Sequence, residues 1–293
     1  MCDEQTENDN QEFQNAGGVL NRRDFSQWSA AAIIAAMYPA SALGKETVVE
    51  SDVAVTMPDG VSDSYFVHPS KGTHPGVLIW PDIRGLRPAF KAMGKRLAMS
   101  GYSVLVVNPF YRDAKAPVVG PDASFRDPDT RTLLRGMASK LTQDASMSDA
   151  RAYISFLDAQ ASVDTTRKVG TAGYCMGGPL IMRTAAAVPS RVGAAASFHG
   201  GGLVRDSDDS PHLLIPDSPA HVLHAIAEND DERNPDVKDV LAAAYKEAGT
   251  PAEIEVYEGA LHGWCPPDSR VYNEAQAEKA WSRMLALFQS ALT

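Results

Sequence analysis

The stretch "KVGTAGYCMGGPLIMRTAAAV", residues 168–188, places a strand pattern, a turn of small residues and a helix pattern in immediate succession. Residues 168–174 form a short apolar run, which is typical of a strand buried on both faces, and residues 179–188 have a helical pattern. Strands that alternate with helices indicate a mostly parallel sheet with helices on both faces. The alternation extends over residues 45–293, so we predict a single α/β domain there.

Further elements follow from the same patterns. Strands are predicted at residues 47–57, 63–69, 76–82, 102–109, 192–201 and 252–259, the first two joined as a hairpin. Residues 220–230 are predicted as a strand that runs into an acidic loop. Helices are predicted at 89–101, at 129–160 with a break near Ser146, at 237–249 and at 273–292. Residues 109–128 are rich in Pro, Gly and Asp and are predicted to form a long loop, and a loop of that length in a compact domain is commonly functional.

The composition excludes several classes of protein. The chain has 293 residues, 44% hydrophobic and 22% charged, which is ordinary for a soluble globular protein. Its net charge of −10 argues against a nucleic-acid binder, which would carry a basic patch. The three cysteines, Cys2, Cys175 and Cys265, are too few and too scattered for a disulfide framework or a thiolate zinc site. We therefore expect a small organic substrate, with no metal and no cofactor; no motif indicates an oligomeric state.

The N-terminal part, residues 1–44, has a different character from the rest. Residues 1–25 are polar and lack apolar periodicity, so we expect them to be disordered. Residues 21–44 combine paired arginines, a short apolar stretch and a small-residue pattern, which resembles a twin-arginine export signal. The apolar stretch is too short for stable membrane insertion. We expect export to the periplasm with cleavage near Leu43; the alternative is a cytoplasmic protein with an N-terminal helix.

The turn at residues 173–178 has the pattern G-x-C-x-G-G, the spacing of a nucleophile elbow with cysteine in place of serine. In an α/β sheet, ligands bind at the carboxyl ends of the strands, where Cys175 lies. Small neighbours are needed because the elbow residue sits on a sharp, strained turn. The N-terminus of the following helix favours a thiolate and a developing oxyanion. Cys175 is therefore predicted to be a nucleophile, the alternative being a buried structural cysteine.

A nucleophile needs a base and a residue that orients the base. In the α/β-hydrolase arrangement the chain order is nucleophile, acid, histidine. Downstream of Cys175, Asp230 and Asp231 follow one predicted strand and His262 follows the next. Taken singly, each aspartate could be a turn or capping residue and the histidine could be exposed to solvent. Their order and their positions at successive strand ends favour a catalytic triad, with either aspartate as the acid.

The segments "GYCMGG", residues 227–231 and "LHGW" resemble the dienelactone hydrolase family of α/β hydrolases, and the resemblance runs from residue 50 to the C-terminus. It implies the α/β-hydrolase fold, with a mostly parallel central sheet and helices on both faces. It also implies a triad of Cys175, Asp230 and His262, with Asp231 as the alternative acid.

The resemblance implies further site residues. The backbone amides of Ile83 and Met176 would form the oxyanion hole. Asp82 matches the position of an acidic residue, usually Glu in the family, that contacts the resting nucleophile. Arg131 matches an arginine that holds a substrate carboxylate. Pro266 stands where the family has a second arginine, which argues against the family's small dicarboxylate-like lactone.

The predicted function is cofactor-free hydrolysis of a small ester or lactone through an acyl-enzyme. The alternative is a hydrolase-like protein that binds a small molecule in the same pocket with little or no turnover. The change from Glu to Asp at residue 82 and the absence of the second arginine motivate that alternative. His199 in "SFHGG" also follows a strand end, where it either lines the pocket or packs in the core.

Overall fold

The computed structural model describes residues 4–15 and 47–293. The predicted export signal, residues 21–44, lies outside the described residues. Within the two described ranges, no helix has both the length and the apolar character that crossing a membrane requires.

The core of the molecule is an eight-stranded sheet. Its strands are β1 (Val48–Met57), β2 (Gly60–Pro69), β3 (Gly76–Trp80), β4 (Ser103–Val106), β5 (Val169–Tyr174), β6 (Val192–Phe198), β7 (His221–Ala227) and β8 (Ala252–Tyr257). They are arranged in the order β1-β2-β4-β3-β5-β6-β7-β8. The β1–β2 and β2–β4 pairs are antiparallel, and all other pairs are parallel. The predicted α/β class with a mostly parallel sheet is confirmed.

Helices cover both faces of this sheet. The helices are α1 (Glu4–Asn15), α2 (Pro88–Met99), α3 (Pro128–Ala138), α4 (Gln143–Asp158), α5 (Gly177–Ala187), α6 (Glu228–Arg233), α7 (Val237–Ala248) and α8 (Glu274–Ala291), with a 3₁₀ helix at Pro211–Asp217. Apolar side chains of α2 and α8 pack in the core on one face, and those of α4, α5 and α7 pack on the other. Every residue of β3 and β5 is buried as a result, which explains their continuous apolar sequences.

The break within the predicted helix 129–160 lies earlier than expected. The first helix ends at Ala138 and the second begins at Gln143, because the side chain of Thr142 accepts a hydrogen bond from the backbone N–H of Ala145 and so caps α4. Ser146 lies inside α4, where its hydroxyl donates to the carbonyl of Thr142 at 2.6 Å. A side-chain bond to the preceding turn therefore keeps the serine within the helix instead of breaking it.

Residues 220–230 are predicted as a strand that runs into an acidic loop, and the structure has a short helix in place of that loop. Strand β7 ends at Ala227, where the backbone N–H of Glu228 donates to the carbonyl of Ala260 at 2.9 Å, and the acidic residues that follow form the short helix α6. Acidic side chains in the first turn of a helix interact favourably with its dipole. Asp230 and Asp231 therefore lie on a helix directly after the strand.

The disorder expected for residues 1–25 is wrong for residues 4–15, which form α1. This helix has no apolar stripe, and its stability comes from tertiary contacts. Glu7 pairs with Arg270 at 3.3 Å, and Asp9 forms an ion pair with Arg233. These partners lie more than two hundred residues away in the chain, so local sequence patterns do not reveal them.

The close approach of α5 to β3 positions the turn between β5 and α5. Trp80 at the end of β3 lies opposite Gly173 of β5, so the two strands end side by side. A Cβ atom added at Gly177 would overlap the backbone oxygen of Trp80, and one added at Gly173 would overlap the backbone oxygen of Gly177. Only residues without a side chain allow the first turn of α5 to lie this close to the strand.

Replacing Gly177 by alanine is therefore expected to lower the free energy of unfolding by about 1–3 kcal/mol, because the new methyl group forces backbone to shift against backbone. Chemical denaturation measures this directly. The matched control is Gly136→Ala in α3, where an added Cβ meets no atom within 4 Å. That change should raise stability by about 0.5–1 kcal/mol through helix propensity. Equal effects of the two substitutions would contradict the packing argument.

Candidate active site

A cavity of about 90 Å³ lies at the carboxyl ends of the central strands. Three side chains that can take part in catalysis or binding line it: Cys175 after β5, His199 after β6 and His262 in the loop after β8. Asp82 and Ile83, which follow β3, line the same cavity. The fold thus brings four of the strand ends singled out in the sequence to one place.

Cys175 occupies a strained turn. Its backbone φ is +53°, in the left-handed region that residues other than glycine rarely adopt. Two hydrogen bonds hold it there: its N–H donates to the carbonyl of Phe198 at 3.0 Å, and its own carbonyl accepts from the N–H of Gly178 at 3.0 Å. The side chain is 3% exposed. This is the geometry of a nucleophile elbow, in which the turn presents the side chain above the sheet edge.

His262 is held by two residues of α6. Its Nδ1 lies 2.6 Å from Oδ2 of Asp230, and its backbone N–H donates to Oδ1 of Asn229 at 2.9 Å. The carboxylate of Asp231 instead accepts hydrogen bonds from the ammonium group of Lys238, at 2.6 and 2.7 Å. Of the two candidate acids, Asp230 is therefore the one that contacts the imidazole of His262.

The charges around His262 favour its protonated form. Burial by itself lowers the pKa of His262, but the negative charge of Asp230, the interaction with Cys175 and hydrogen bonds to both residues raise the pKa to about 10. Burial raises the pKa of Asp230, and the interaction with His262 outweighs it, so the net shift of that pKa is downward. At neutral pH the imidazole therefore carries a proton between the carboxylate of Asp230 and the sulfur of Cys175.

Asp82 lines the cavity, and its carboxylate is engaged by an arginine. Its two oxygens accept from the Nη1 and Nη2 atoms of Arg87 at 2.6 and 2.8 Å. Arg87 also donates through Nε to Asp268 at 2.6 Å. The buried arginine thereby ties the loop after β3 to the loop that follows His262. Fixing both loops fixes the shape of the cavity.

The two residues predicted for an oxyanion hole lie close to each other. Ile83 lines the cavity and belongs to a small apolar cluster with Phe125 and Leu134, and Met176 packs against that cluster. Met176 is also the N-cap residue of α5, next to the helix end where backbone N–H groups lack intrahelical acceptors.

Arg131 lies half-buried on α3, and its neighbour Thr130, not Arg131, is among the lining residues. Three other arginines, Arg84, Arg87 and Arg270, line the cavity, and sequence reasoning missed all three. Arg84 directly follows Ile83, so its position at a strand end was a usable signal. Arg270 lies in an irregular loop after His262 and had no such signal. Among the described residues, no group of three or more His, Cys, Asp or Glu side chains is placed to hold a metal ion.

Helix α1 forms part of the outer wall of the cavity. Thr6, Glu7 and Asn10 are among its lining residues. Asp9 accepts a hydrogen bond from Asn229 at 2.8 Å and pairs with Arg233, so α1 is anchored on residues that themselves contact the His262–Asp230 pair.

The cavity is small for a substrate. A volume of 90 Å³ has room for several water molecules, each of which needs at least about 10–15 Å³ on this measure. Pockets that bind organic ligands have volumes of roughly 300–1,000 Å³. The space beside Cys175 is therefore narrow, and α1 forms part of its wall.

A cysteine elbow and a histidine–aspartate pair at the carboxyl edge of a mostly parallel sheet are the arrangement of the α/β hydrolases. Within that class, the sequence profile of the dienelactone hydrolase family matches residues 62–292, and the chain belongs to this family. The predicted resemblance is confirmed, and with it the class of enzyme, a hydrolase acting on ester or lactone bonds.

Individual relatives agree with this assignment. The chain is 25% identical over 236 residues to a carboxymethylenebutenolidase of Rhodococcus opacus, covering 78% of this chain and 86% of that protein. A dienelactone hydrolase-like promiscuous phosphotriesterase from metagenomic libraries aligns with a TM-score of 0.70 at 20% identity. The dienelactone hydrolase of Anabaena variabilis aligns with a TM-score of 0.56 at 18% identity. Each alignment covers 84% of this chain and 99% of the other, and at these identities it establishes the fold.

Asp230→Asn is expected to lower the pKa of His262, because it removes the carboxylate charge that stabilises the imidazolium. NMR titration of the imidazole nitrogens measures the pKa. Asp231→Asn removes the same charge one residue away, where the carboxylate binds Lys238, and should leave the pKa of His262 nearly unchanged. A larger shift in the Asp231 variant would show that the acid is misassigned.

Asp9→Lys is expected to speed alkylation of Cys175 by iodoacetamide. It replaces the ion pair with Arg233 by repulsion and so loosens α1. The increase should be roughly tenfold or more, because a hydrogen bond to a charged group contributes about 1.5–3 kcal/mol. Peptide mapping reports Cys175 separately from Cys265. Glu12→Lys makes the same charge change at an exposed position of α1 and serves as control. If both variants react like the unchanged chain, α1 does not limit access.

Proposed function

We propose that the protein hydrolyses small esters or lactones through a covalent acyl-enzyme on Cys175, without a cofactor. The observation that carries the proposal is the placement of Cys175 on a strained turn against His262, which is itself bound to Asp230 at 2.6 Å. Strained backbone is energetically costly and is retained chiefly where function requires it.

The first half of the reaction forms a thioester. The thiolate of Cys175, paired with protonated His262, attacks the substrate carbonyl carbon, and the π electrons of the carbonyl move onto its oxygen. Backbone N–H groups of Ile83 and Met176 stabilise this oxyanion. The tetrahedral intermediate then collapses, the ester C–O bond breaks, and the protonated His262 gives its proton to the leaving alkoxide.

The second half returns the enzyme to its starting state. Neutral His262 takes a proton from a water molecule, whose oxygen attacks the thioester carbon. The second intermediate expels the sulfur of Cys175 as a thiolate and releases the carboxylic acid. Asp230 keeps the imidazole in the required orientation and stabilises its cationic form in both halves, which agrees with the raised pKa of His262.

The cationic groups at the cavity favour a substrate with a carboxylate. Arg84 and Arg270 both line the cavity, and Arg270 binds the carboxylate of Glu7 from α1 at 3.3 Å. Glu7 therefore occupies the position that a substrate carboxylate would take after α1 moves. Because Arg131 is not among the lining residues, we propose Arg84 and Arg270 for the role that the family resemblance suggested for Arg131.

Cys175→Ala is expected to reduce hydrolysis of p-nitrophenyl acetate by at least about 10³-fold, since the covalent route is lost. Cys175→Ser should keep only weak activity, because a site suited to a thiolate deprotonates a hydroxyl poorly. Release of p-nitrophenol, followed by absorbance, measures both. Cys265→Ala is the matched control, since this second buried cysteine lies outside the cavity lining. Full activity in Cys175→Ala would overturn the mechanism, and tight binding without turnover by the unchanged chain would support the predicted alternative of a binding protein.

A further inference from the structure

His199 is a second imidazole at the catalytic cavity, and the reaction described above does not use it. The residue follows β6 directly and lines the cavity together with Cys175 and His262. Its backbone φ is +40°, and its N–H donates to the carbonyl of Ala225 on β7 at 2.8 Å. Cys175 and His199 are the two residues other than glycine with positive φ among the described residues. Both of these strained positions therefore lie at one cavity.

The imidazole of His199 is buried and has no partner. The residue is 1% exposed, and neither Nδ1 nor Nε2 makes a hydrogen bond with another described residue. A buried polar group left unpaired destabilises the protein. His224, which is also buried and lies outside the cavity lining, differs in that its Nε2 bonds the hydroxyl of Tyr245 at 2.9 Å and only its Nδ1 is unpaired. The unpaired nitrogens of His199 need a partner that enters the cavity.

The surroundings of His199 restrict its chemistry. Its ring lies 5.1 Å from the ring of His262 and 5.1 Å from the ring of Trp264, in both cases nearly edge to face. Burial, together with the charge of His262, lowers the pKa of His199 well below its ordinary value. At neutral pH the ring is therefore uncharged, with one nitrogen that donates and one that accepts. It is too weak a base to replace His262.

A hydroxyl group is the binding partner that best fits a neutral, buried imidazole. A hydroxyl both donates and accepts, so it can bind either nitrogen of the neutral ring. A cationic group would be repelled by protonated His262, and an anionic group has Arg84 and Arg270 available on the same cavity. Since the ring of His199 contacts the ring that serves the scissile bond, the hydroxyl must lie within a bond or two of the ester group.

We propose that His199 is a specificity-determining residue that binds a substrate hydroxyl next to the scissile bond, so that the enzyme prefers hydroxy esters or hydroxylactones. This inference rests on the proposed ester hydrolysis and names the class of substrate for the same site. Other occupants of the space, such as a buried water, would leave the enzyme indifferent to the hydroxyl.

The test uses two esters that differ in one hydroxyl, phenyl 2-hydroxypropanoate and phenyl propanoate, with the full chain. The measured quantity is the ratio of their kcat/KM values, which cancels any common effect of α1 on access. The unchanged chain should favour the hydroxy ester by about tenfold, the typical effect of one hydrogen bond. The preference should arise mainly from KM. A ratio near the intrinsic ratio of the two esters in alkaline water would overturn the proposal.

Three variants of His199 sharpen the test. His199→Phe keeps a ring and removes both nitrogens, and His199→Gly removes the ring without straining the left-handed backbone. Both should bring the ratio down to the intrinsic value. His199→Asn retains a donor and an acceptor and tolerates positive φ, so it should keep part of the preference. If His199→Phe does not fold, His199→Gly still decides the point.

Two controls separate specificity from structure. His224→Phe removes another buried imidazole, outside the cavity, and should leave the ratio unchanged. A mere packing role of His199 on His262 would shift the pH profile of kcat/KM for both esters equally and keep the ratio, and that result would overturn the proposal. Failure of the proposed function is distinguishable, because it appears as phenyl propanoate hydrolysis that survives Cys175→Ala.

Discussion

The close approach of α5 to the end of β3 is the constraint on which the rest of the site depends. It requires glycine at 173 and 177, and it leaves Cys175 in a left-handed turn. Gly178, the residue after Gly177, is subject to a similar constraint, because a Cβ atom there would lie 2.5 Å from the Cα atom of Gly200. Gly200 directly follows His199, so the glycine run also allows the loop after β6 to approach the elbow. One packing condition therefore positions both the thiol and the second imidazole.

The protonation states of the ionisable groups at this edge of the sheet depend on their burial and on their partners. Asp230 and His262 come from different strand ends and meet at 2.6 Å in a site largely removed from solvent, where charge interactions are strong. Burial by itself lowers the pKa of both histidines, but their partners differ. His262 gains a carboxylate partner, which raises its pKa, whereas His199 has none and its pKa is lowered. Two neighbouring imidazoles thus differ in charge at neutral pH, because only one of them has a carboxylate partner.

The acidic character of α1 matches the basic rim of the cavity. Glu7 and Asp9 are bound by Arg270 and Arg233, and Arg126 donates to Gln11 at 3.3 Å. Partly exposed ion pairs of this kind contribute modestly, and salt weakens them. Helix α1 is therefore held at the rim of the cavity by ion pairs and hydrogen bonds that depend on salt concentration.

The amino-acid sequence by itself determined the architecture and the position of the elbow. Buried strands read as continuous apolar runs, and the spacing of Gly173, Cys175 and Gly177 reflects backbone contacts that only glycine permits. The choice between Asp230 and Asp231 was left open by the sequence. Only the tertiary structure decided it, because the acid that faces His262 is selected by the start of α6 after β7 and by Lys238, which draws the other carboxylate away. The docking of α1 and the unpaired ring nitrogens of His199 likewise depend on how segments distant in sequence pack together. A local pattern of residue types does not predict such contacts.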